Sequence, residues 1–293
     1  MTAVAAPTRS FLSLVKIEHS VFALPFAYLS ALTAMSRGPH RVDWIKLVLI
    51  TVAMVGARTF AMAANRIIDR HIDARNPRTA GRELVTGVVS VRTAWAGALV
   101  ALVVFLGAAA LLNPLCLALS PLAVLPLILY PYAKRVTNWP HAVLALAQLV
   151  GPVGAWLAVT GTVRGSFPAW VLGTAVGLWI GGFDLIYATQ DADVDRQIGV
   201  HSVPARYGVR FALLLSTVVH AVTFALFIWY GVLVGLGAWW WAGLVVTAGA
   251  FAYEHAIVKP ADLSRVNRAF FTANGFVGIA LFVFALLDLV LRP

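Results

Sequence analysis

Two short acidic clusters carry the chemistry open to this sequence. The first is Asn65-Arg-Ile-Ile-Asp69-Arg-His-Ile-Asp73 and the second is Asp191-Ala-Asp193-Val-Asp195. Together they hold five of the chain's nine aspartates. Asn65, Asp69 and Asp73 are spaced by four, as are Asp191 and Asp195. On a continuing helix each set stacks on one face, one turn apart. Like charges at that spacing repel and need a counter-charge. A hard cation such as Mg²⁺ supplies it, because it takes oxygen ligands and bridges carboxylates to substrate phosphates. The bland alternative is a pair of solvated helix ends with Arg66, Arg70, Arg75 and Arg196 as partners. Two such clusters, each closing an apolar run on the same side, favour a metal–diphosphate site.

A diphosphate also needs cations from the protein. Arg78 and Arg82 follow the first cluster, and Lys134 and Arg135 close Tyr130-Pro-Tyr132-Ala-Lys134-Arg135. Arginine can clamp phosphate with two parallel hydrogen bonds, and lysine acts as a point charge. Each of these could instead reflect only the loop bias of basic residues. Two charges lie deeper: Arg58 is seven residues before Asn65 and Asp184 seven before Asp191. Each shares a face with its cluster, about 10 Å further along the helix at 1.5 Å per residue. Unpaired charge at that depth is costly. Arg58 and Asp184 are therefore expected either to pair at the floor of a cavity, with or without a catalytic role, or to leave Arg58 for the carboxylate of an acidic substrate.

The elements that position these residues are membrane spans. The 293-residue chain is 61 % hydrophobic and only 12 % charged, whereas a soluble domain needs about a quarter of its residues charged. Runs of about 20 apolar residues, the length that crosses a bilayer, fall at roughly 14–36, 44–66, 92–112, 114–133, 140–161, 168–189, 209–230, 233–256 and 268–290. The first follows Arg9 and Lys16 like a signal peptide, but Glu18 and His19 fall where an apolar signal core would begin, so it reads as an uncleaved span. With a cytoplasmic N-terminus, 16 of the 22 Lys and Arg lie on the cytoplasmic side and five opposite, with Arg58 inside a span. That asymmetry orients the chain in a cell membrane, with both acidic loops cytoplasmic. It also accounts for the net charge of +10 without nucleic acid. Trp239, Trp240 and Trp241 read as an interfacial anchor, and the single Cys116 as a small core residue. No polar stretch is long enough to fold alone, so residues 1–293 are expected to form one polytopic, all-α transmembrane domain of nine helices.

At this point the motifs are recognisable. The run from Asn65 to Asp73, continued by Asn76-Pro-Arg78-Thr-Ala-Gly-Arg82-Glu-Leu, resembles the first signature of the UbiA superfamily of intramembrane prenyltransferases. The run Asp184-Leu-Ile-Tyr187-Ala-Thr-Gln-Asp191-Ala-Asp-Val-Asp195-Arg-Gln-Ile-Gly199-Val-His-Ser202 resembles the second. Tyr130 to Thr137 resembles the tyrosine–lysine–arginine stretch between them, and Lys16 to Pro25 the opening of the 4-hydroxybenzoate polyprenyltransferase-like branch. The resemblance implies helices around a central cavity, with Mg²⁺ held between a diphosphate and Asn65, Asp69, Asp73, Asp191 and Asp195. It makes Arg78, Lys134 and Arg135 candidate diphosphate contacts, and Tyr130 and Tyr187 cavity contacts near the reacting carbons. Asp73 stands where the 1,4-dihydroxy-2-naphthoate branch typically shows glycine. Part of the 4-hydroxybenzoate-like group is associated with the futalosine route to menaquinone, where the acceptor is 1,4-dihydroxy-6-naphthoate.

The implied reaction transfers a polyprenyl group from polyprenyl diphosphate to a ring carbon of an aromatic hydroxy acid, in ubiquinone or menaquinone synthesis. Mg²⁺ and the basic residues stabilise charge on the departing diphosphate, and apolar and aromatic walls shield an allylic cation. Glu18, His19 and Asp184 are each placed to help remove the ring proton. The membrane lipid would receive the isoprenoid tail. The competing class is a secondary transporter, whose binding groups would be expected near the bilayer midplane; acids gathered at span ends favour the enzyme.

Overall fold

The computed structural model describes residues 23–38 and 42–291. The described residues are all-helical. In chain order the helices are α1 (Leu24–Ser36), α2 (Trp44–Asp73), α3 (Glu83–Thr86), α4 (Val91–Leu112), α5 (Pro114–Val136), α6 (Pro140–Thr160), α7 (Phe167–Ala188), α8 (Ala192–Ile198), α9 (Val203–Tyr207), α10 (Val209–Val234), α11 (Ala238–Ile257), α12 (Val266–Arg268) and α13 (Asn274–Val290). Side-chain caps set several starts: Asp43 accepts from Lys46 N, Ser90 from Thr93 N and Asn113 from Cys116 N. Proline in the first turn, where a missing N–H costs nothing, opens α1, α5, α6 and α7.

Six helical stretches among the described residues are long and apolar enough to cross a membrane: α2, α4, α5, α6, α7 continued into α8, and α10. The sequence led us to expect nine. Residues 14–22 of the first expected span, with Lys16, Glu18 and His19, lie outside the described residues; the described part, α1, has 13 residues. The eighth span is α11, where three tryptophans, Glu254 and His255 dilute the apolar run. The ninth begins with a π turn at Ala269–Ala273, which leaves 17 residues in α13. The outer faces of the long helices are apolar, with Leu99, Val103, Leu214 and Val218 all exposed, as lipid contact requires.

The helix α7 sits at the centre, packed between α6 and α10. Its close approach to α6 rests on glycines four residues apart. A Cβ at Gly173 would lie 2.7 Å from Leu149 O, at Gly177 2.4 Å from Ala145 O and at Gly181 3.0 Å from His141 O. Small residues at this spacing let backbones meet where apolar burial offers no drive between helices. We expect Gly177→Val to push α6 and α7 apart at a cost of about 1–3 kcal/mol. Gly154→Ala, which would meet nothing within 4 Å, should leave stability unchanged or raised; thermal unfolding in detergent checks both.

Aromatic packing joins α7 to the rest of the bundle. Trp179 meets Phe26 and Phe183 edge-on, and Phe227 stacks on Phe26. Buried polar links add specificity: Ser30 Oγ donates to Pro152 O, Ser216 Oγ to Gly182 O and Tyr230 OH to Thr33 Oγ1. Of the three adjacent tryptophans only Trp239 and Trp241 face outward. Trp240 is fully buried against Phe227 and Tyr230, because one turn of α11 cannot aim three consecutive side chains the same way. Cys116 is half-buried, packed against the core cluster around Ala31, Ile50 and Ala158 on one side and lining the central cavity on the other.

Candidate active site

The helix α2 runs unbroken for 30 residues to Asp73, so Asn65, Asp69 and Asp73 do share one helical face. The second cluster is built differently. After α7 the chain tightens into a 3₁₀ turn at Thr189–Asp191 before α8 begins. Asp191 and Asp195 therefore do not stack on one continuous helix. Asp191 stands at the break with its side chain turned to the first cluster's loop, and Asp195 lies in α8.

That loop is folded by its own polar residues. Asn76 Oδ1 accepts from Arg78 N at 2.9 Å, and Thr79 Oγ1 donates to Asp73 O at 3.0 Å. The result aims Arg78 and Arg82 inward. Arg78 Nε donates to Asp191 Oδ1 at 2.8 Å while its Nη2 pairs with Oδ2, a two-point fork that Asn76 Nδ2 completes at 3.0 Å. Arg78 Nη1 also donates to Tyr187 OH at 3.1 Å, and the guanidinium lies over the Tyr187 ring. Burial of Arg78 works against its charge, but the hydrogen bonds and charge of Asp191 outweigh it and hold the guanidinium above its ordinary pKa. Arg82 Nη1 pairs with Asp73 Oδ1 at 2.6 Å.

The end of α5 supplies the other cations. Lys134 Nζ pairs with Asp69 Oδ2, and Arg135 Nη1 with Asp69 Oδ1 at 3.1 Å. Arg135 also donates to Pro131 O and Ile68 O, and lies over the Tyr132 ring. The second loop is tied to the same place, with His201 N donating to Lys134 O at 2.8 Å. Gly199, at φ 73°, takes the left-handed conformation that ends α8 and turns the chain back. Ser202 Oγ then donates to Asp195 Oδ2 at 3.2 Å.

Beneath these pairs lies one large cavity of about 1090 Å³. Arg58, Asn65, Asp73, Arg78, Tyr130, Lys134, Asp184, Tyr187, Asp191 and Asp195 all line it. Asp69 and Arg135 do not: Asp69 is completely enclosed by its two cationic partners. The rest of the wall is largely apolar, including Leu112, Leu119, Leu122, Leu127 and Leu144. At the floor, Asp184 does not pair with Arg58. His141 Nδ1 donates to Asp184 Oδ2 at 2.6 Å instead, where α6 and α7 lie close enough that a Cβ at Gly181 would fall 3.0 Å from His141 O. Arg58 Nε finds no hydrogen-bond partner among the described residues.

Residues 23–276 match the UbiA prenyltransferase family. The chain belongs to that family. It is accordingly a prenyltransferase and a multi-pass membrane protein. The curated relatives include the 4-hydroxybenzoate octaprenyltransferase of Alkalilimnicola ehrlichii, 34 % identical over 83 % of this chain and 82 % of that protein. The enzyme of the same name from Pseudomonas fluorescens is 31 % identical over 96 % of this chain and 94 % of that one. Among solved structures, a UbiA homolog from Aeropyrum pernix K1 superposes with a TM-score of 0.84 at 38 % identity, covering 93 % of this chain and 98 % of that one. A UbiA homolog from Archaeoglobus fulgidus bound to DMAPP and Mg²⁺ shares the fold, with a TM-score of 0.70 at 18 % identity over 97 % of this chain and 100 % of that one.

Within this prenyltransferase the donors at the cavity mouth are oxygens of Asn65, Asp73, Asp191 and Asp195, the set a hard divalent cation prefers. Five carboxylates, Asp69, Asp73, Glu83, Asp191 and Asp195, lie among five cations, Arg66, Arg78, Arg82, Lys134 and Arg135. The mouth is thus balanced in charge, so an added diphosphate needs added cations. Sequence reasoning missed His141, Asn76 and Ser202. Asn76 and Ser202 were inside the quoted motifs; His141, isolated after Trp139-Pro140, had no neighbouring signal.

Proposed function

We propose that the chain is a Mg²⁺-dependent aromatic polyprenyltransferase. It moves a polyprenyl group from polyprenyl diphosphate to a ring carbon of an aromatic hydroxy acid, in ubiquinone or menaquinone synthesis. The convergence of both aspartate motifs and the end of α5 on the mouth of one apolar cavity carries this reading. The names of the curated relatives favour 4-hydroxybenzoate as acceptor over 1,4-dihydroxy-6-naphthoate. The oxygen-only donor set, and the Mg²⁺ bound with DMAPP in the homolog from Archaeoglobus fulgidus, favour the metal. The asymmetry of basic residues places this end of the bundle on the cytoplasmic face of the cell membrane.

Asn65, Asp73, Asp191 and Asp195 would hold the metal, with Asp69 joining them once Lys134 and Arg135 turn to the diphosphate; the metal when bound would neutralise charge developing on the departing diphosphate. Arg78, Lys134 and Arg135 exchange their carboxylate partners for phosphate oxygens as the diphosphate arrives. Tyr130 and Tyr187 face the allylic carbon, where aromatic rings stabilise positive charge. The leucine-lined wall takes the isoprenoid and excludes water. Arg58, with an N–H to spare beside the cavity, binds the acceptor's carboxylate. The ring proton passes to His141. Its Nδ1–H is held by Asp184, which leaves Nε2, without a partner among the described residues, to accept it.

The test is prenyl transfer by isolated membranes, with labelled polyprenyl diphosphate and each acceptor offered separately. We expect a labelled lipid product with 4-hydroxybenzoate, abolished by EDTA and restored by Mg²⁺. Product with the naphthoate alone would move the enzyme to the other quinone route. Product with neither acceptor would overturn the proposed reaction.

A further inference from the structure

A second cluster of metal-binding side chains lies away from the cavity. His220 of α10 and Glu254 and His255 of α11 bring one ligand atom each within 4.8 Å of one another. None of the three lines the central cavity. His220 is 2 % and Glu254 0 % exposed, and His255 is half-buried.

The surrounding hydrogen bonds fix where the ring protons are. His220 Nε2 lies 3.1 Å from Trp179 O, which can only accept, so Nε2 carries the hydrogen and Nδ1 a lone pair. Thr217 Oγ1 spends its proton on Leu213 O at 3.0 Å, so it accepts from His255 Nδ1 at 3.2 Å. His255 Nε2 is then also a lone pair. These two lone pairs face each other across 2.9 Å.

Glu254 adds a carboxyl group to the same point. Trp179 Nε1 donates to Asn274 Oδ1 at 2.7 Å, which orients the amide so that Asn274 Nδ2 donates to Glu254 Oε1 at 2.7 Å. Glu254 Oε2 has no hydrogen-bond partner among the described residues and lies 3.6 Å from His220 Nδ1. Three atoms able to bind a metal thus converge at one largely buried point. Burying such atoms unpaired is costly.

We propose that His220 Nδ1, His255 Nε2 and Glu254 Oε2 bind a divalent transition metal of the zinc type, separate from the diphosphate site. Imidazole nitrogens and a carboxylate oxygen suit that ion. Bonds of about 2.0–2.2 Å set tetrahedral ligands about 3.4 Å apart; His220 lies 2.9 Å from His255 and 3.6 Å from Glu254, and the Glu254–His255 side, within 4.8 Å, is the one that must draw in. Each ligand is oriented from behind, His220 by a backbone carbonyl, His255 by Thr217 and Glu254 by Asn274, which is how metal-binding residues are held. Gly182 makes room for the ring, since a Cβ there would fall 2.5 Å from His220 Nε2. The half-buried side of His255 leaves a fourth position for water. The metal would staple α10 to α11, with α7 and α13 supporting it through Trp179 and Asn274.

The test uses purified full-length protein in detergent, stripped with EDTA and titrated with Co²⁺ alone. The expected result is the visible absorption of tetrahedral Co²⁺, saturating at one ion per chain. It should persist in Asp69→Asn/Asp191→Asn and weaken at least about tenfold in His255→Ala and in Glu254→Gln. Zinc should raise the thermal midpoint of the parent protein and not of His255→Ala, whose metal-free midpoint shows that it folds. No tetrahedral signal in the parent protein would overturn the proposal and leave a shared proton at the cluster. So would a signal lost with the aspartates and kept in His255→Ala.

Discussion

Asp191→Ala is expected to lower prenyl transfer by at least about 10²–10³-fold, the scale at which a group stabilising transition-state charge acts, while the protein still inserts and purifies normally. Asp191 joins the two motifs. Its carboxylate takes both arms of the Arg78 fork and the Asn76 amide, and it stands at the cavity mouth. Removing it deletes a carboxylate proposed to hold the metal and leaves Arg78 without the partner that aims it. The fold should survive, because Arg78 is 36 % exposed and water can solvate it once released. Initial rates in membranes, normalised to protein level, measure the loss. Turnover comparable to the parent enzyme would remove Asp191 from the site.

Asp69→Ala is expected to lower activity as far, and to cost stability as well. Asp69 is fully enclosed beneath Lys134 and Arg135. Removing one member of a buried pair leaves uncompensated charge, at about 3–5 kcal/mol. Lys134 and Arg135 are 25 % and 32 % exposed, which places the cost near the lower end, about 3 kcal/mol. The thermal midpoint in detergent should fall for Asp69→Ala and hold for Asp191→Ala. Adding Lys134→Met to Asp69→Ala should recover part of the midpoint and none of the turnover. Equal midpoints for Asp69→Ala and the parent protein would contradict the enclosed ion pairs.

The two aspartate clusters were legible because their signal is local. Four-residue spacing on an unbroken α2 presents Asn65, Asp69 and Asp73 on one face, as the pattern implied. That the clusters meet was legible only as an inference from both ending spans on one side. The bond that joins them, Arg78 to Asp191, spans 113 residues of sequence. The break at Thr189–Asp191 was not legible, since the same i,i+4 spacing fits a continuous helix. His141 was invisible because its partner comes from another helix, brought near by the glycines of α7. Arg58 and Asp184 were expected as alternatives, paired or apart, and the His141 contact decides for apart. The span count depends on length and apolarity alone, and Glu254, His255 and Asn274 in α11 and α13 blur it with polar groups inside apolar runs.

The most direct test of the central claim, that both motifs and the end of α5 form one metal–diphosphate site, is equilibrium binding of labelled polyprenyl diphosphate to the purified protein. The account predicts saturable binding in Mg²⁺, lost in EDTA and lost in Asp191→Ala. Binding that neither EDTA nor Asp191→Ala alters would contradict it.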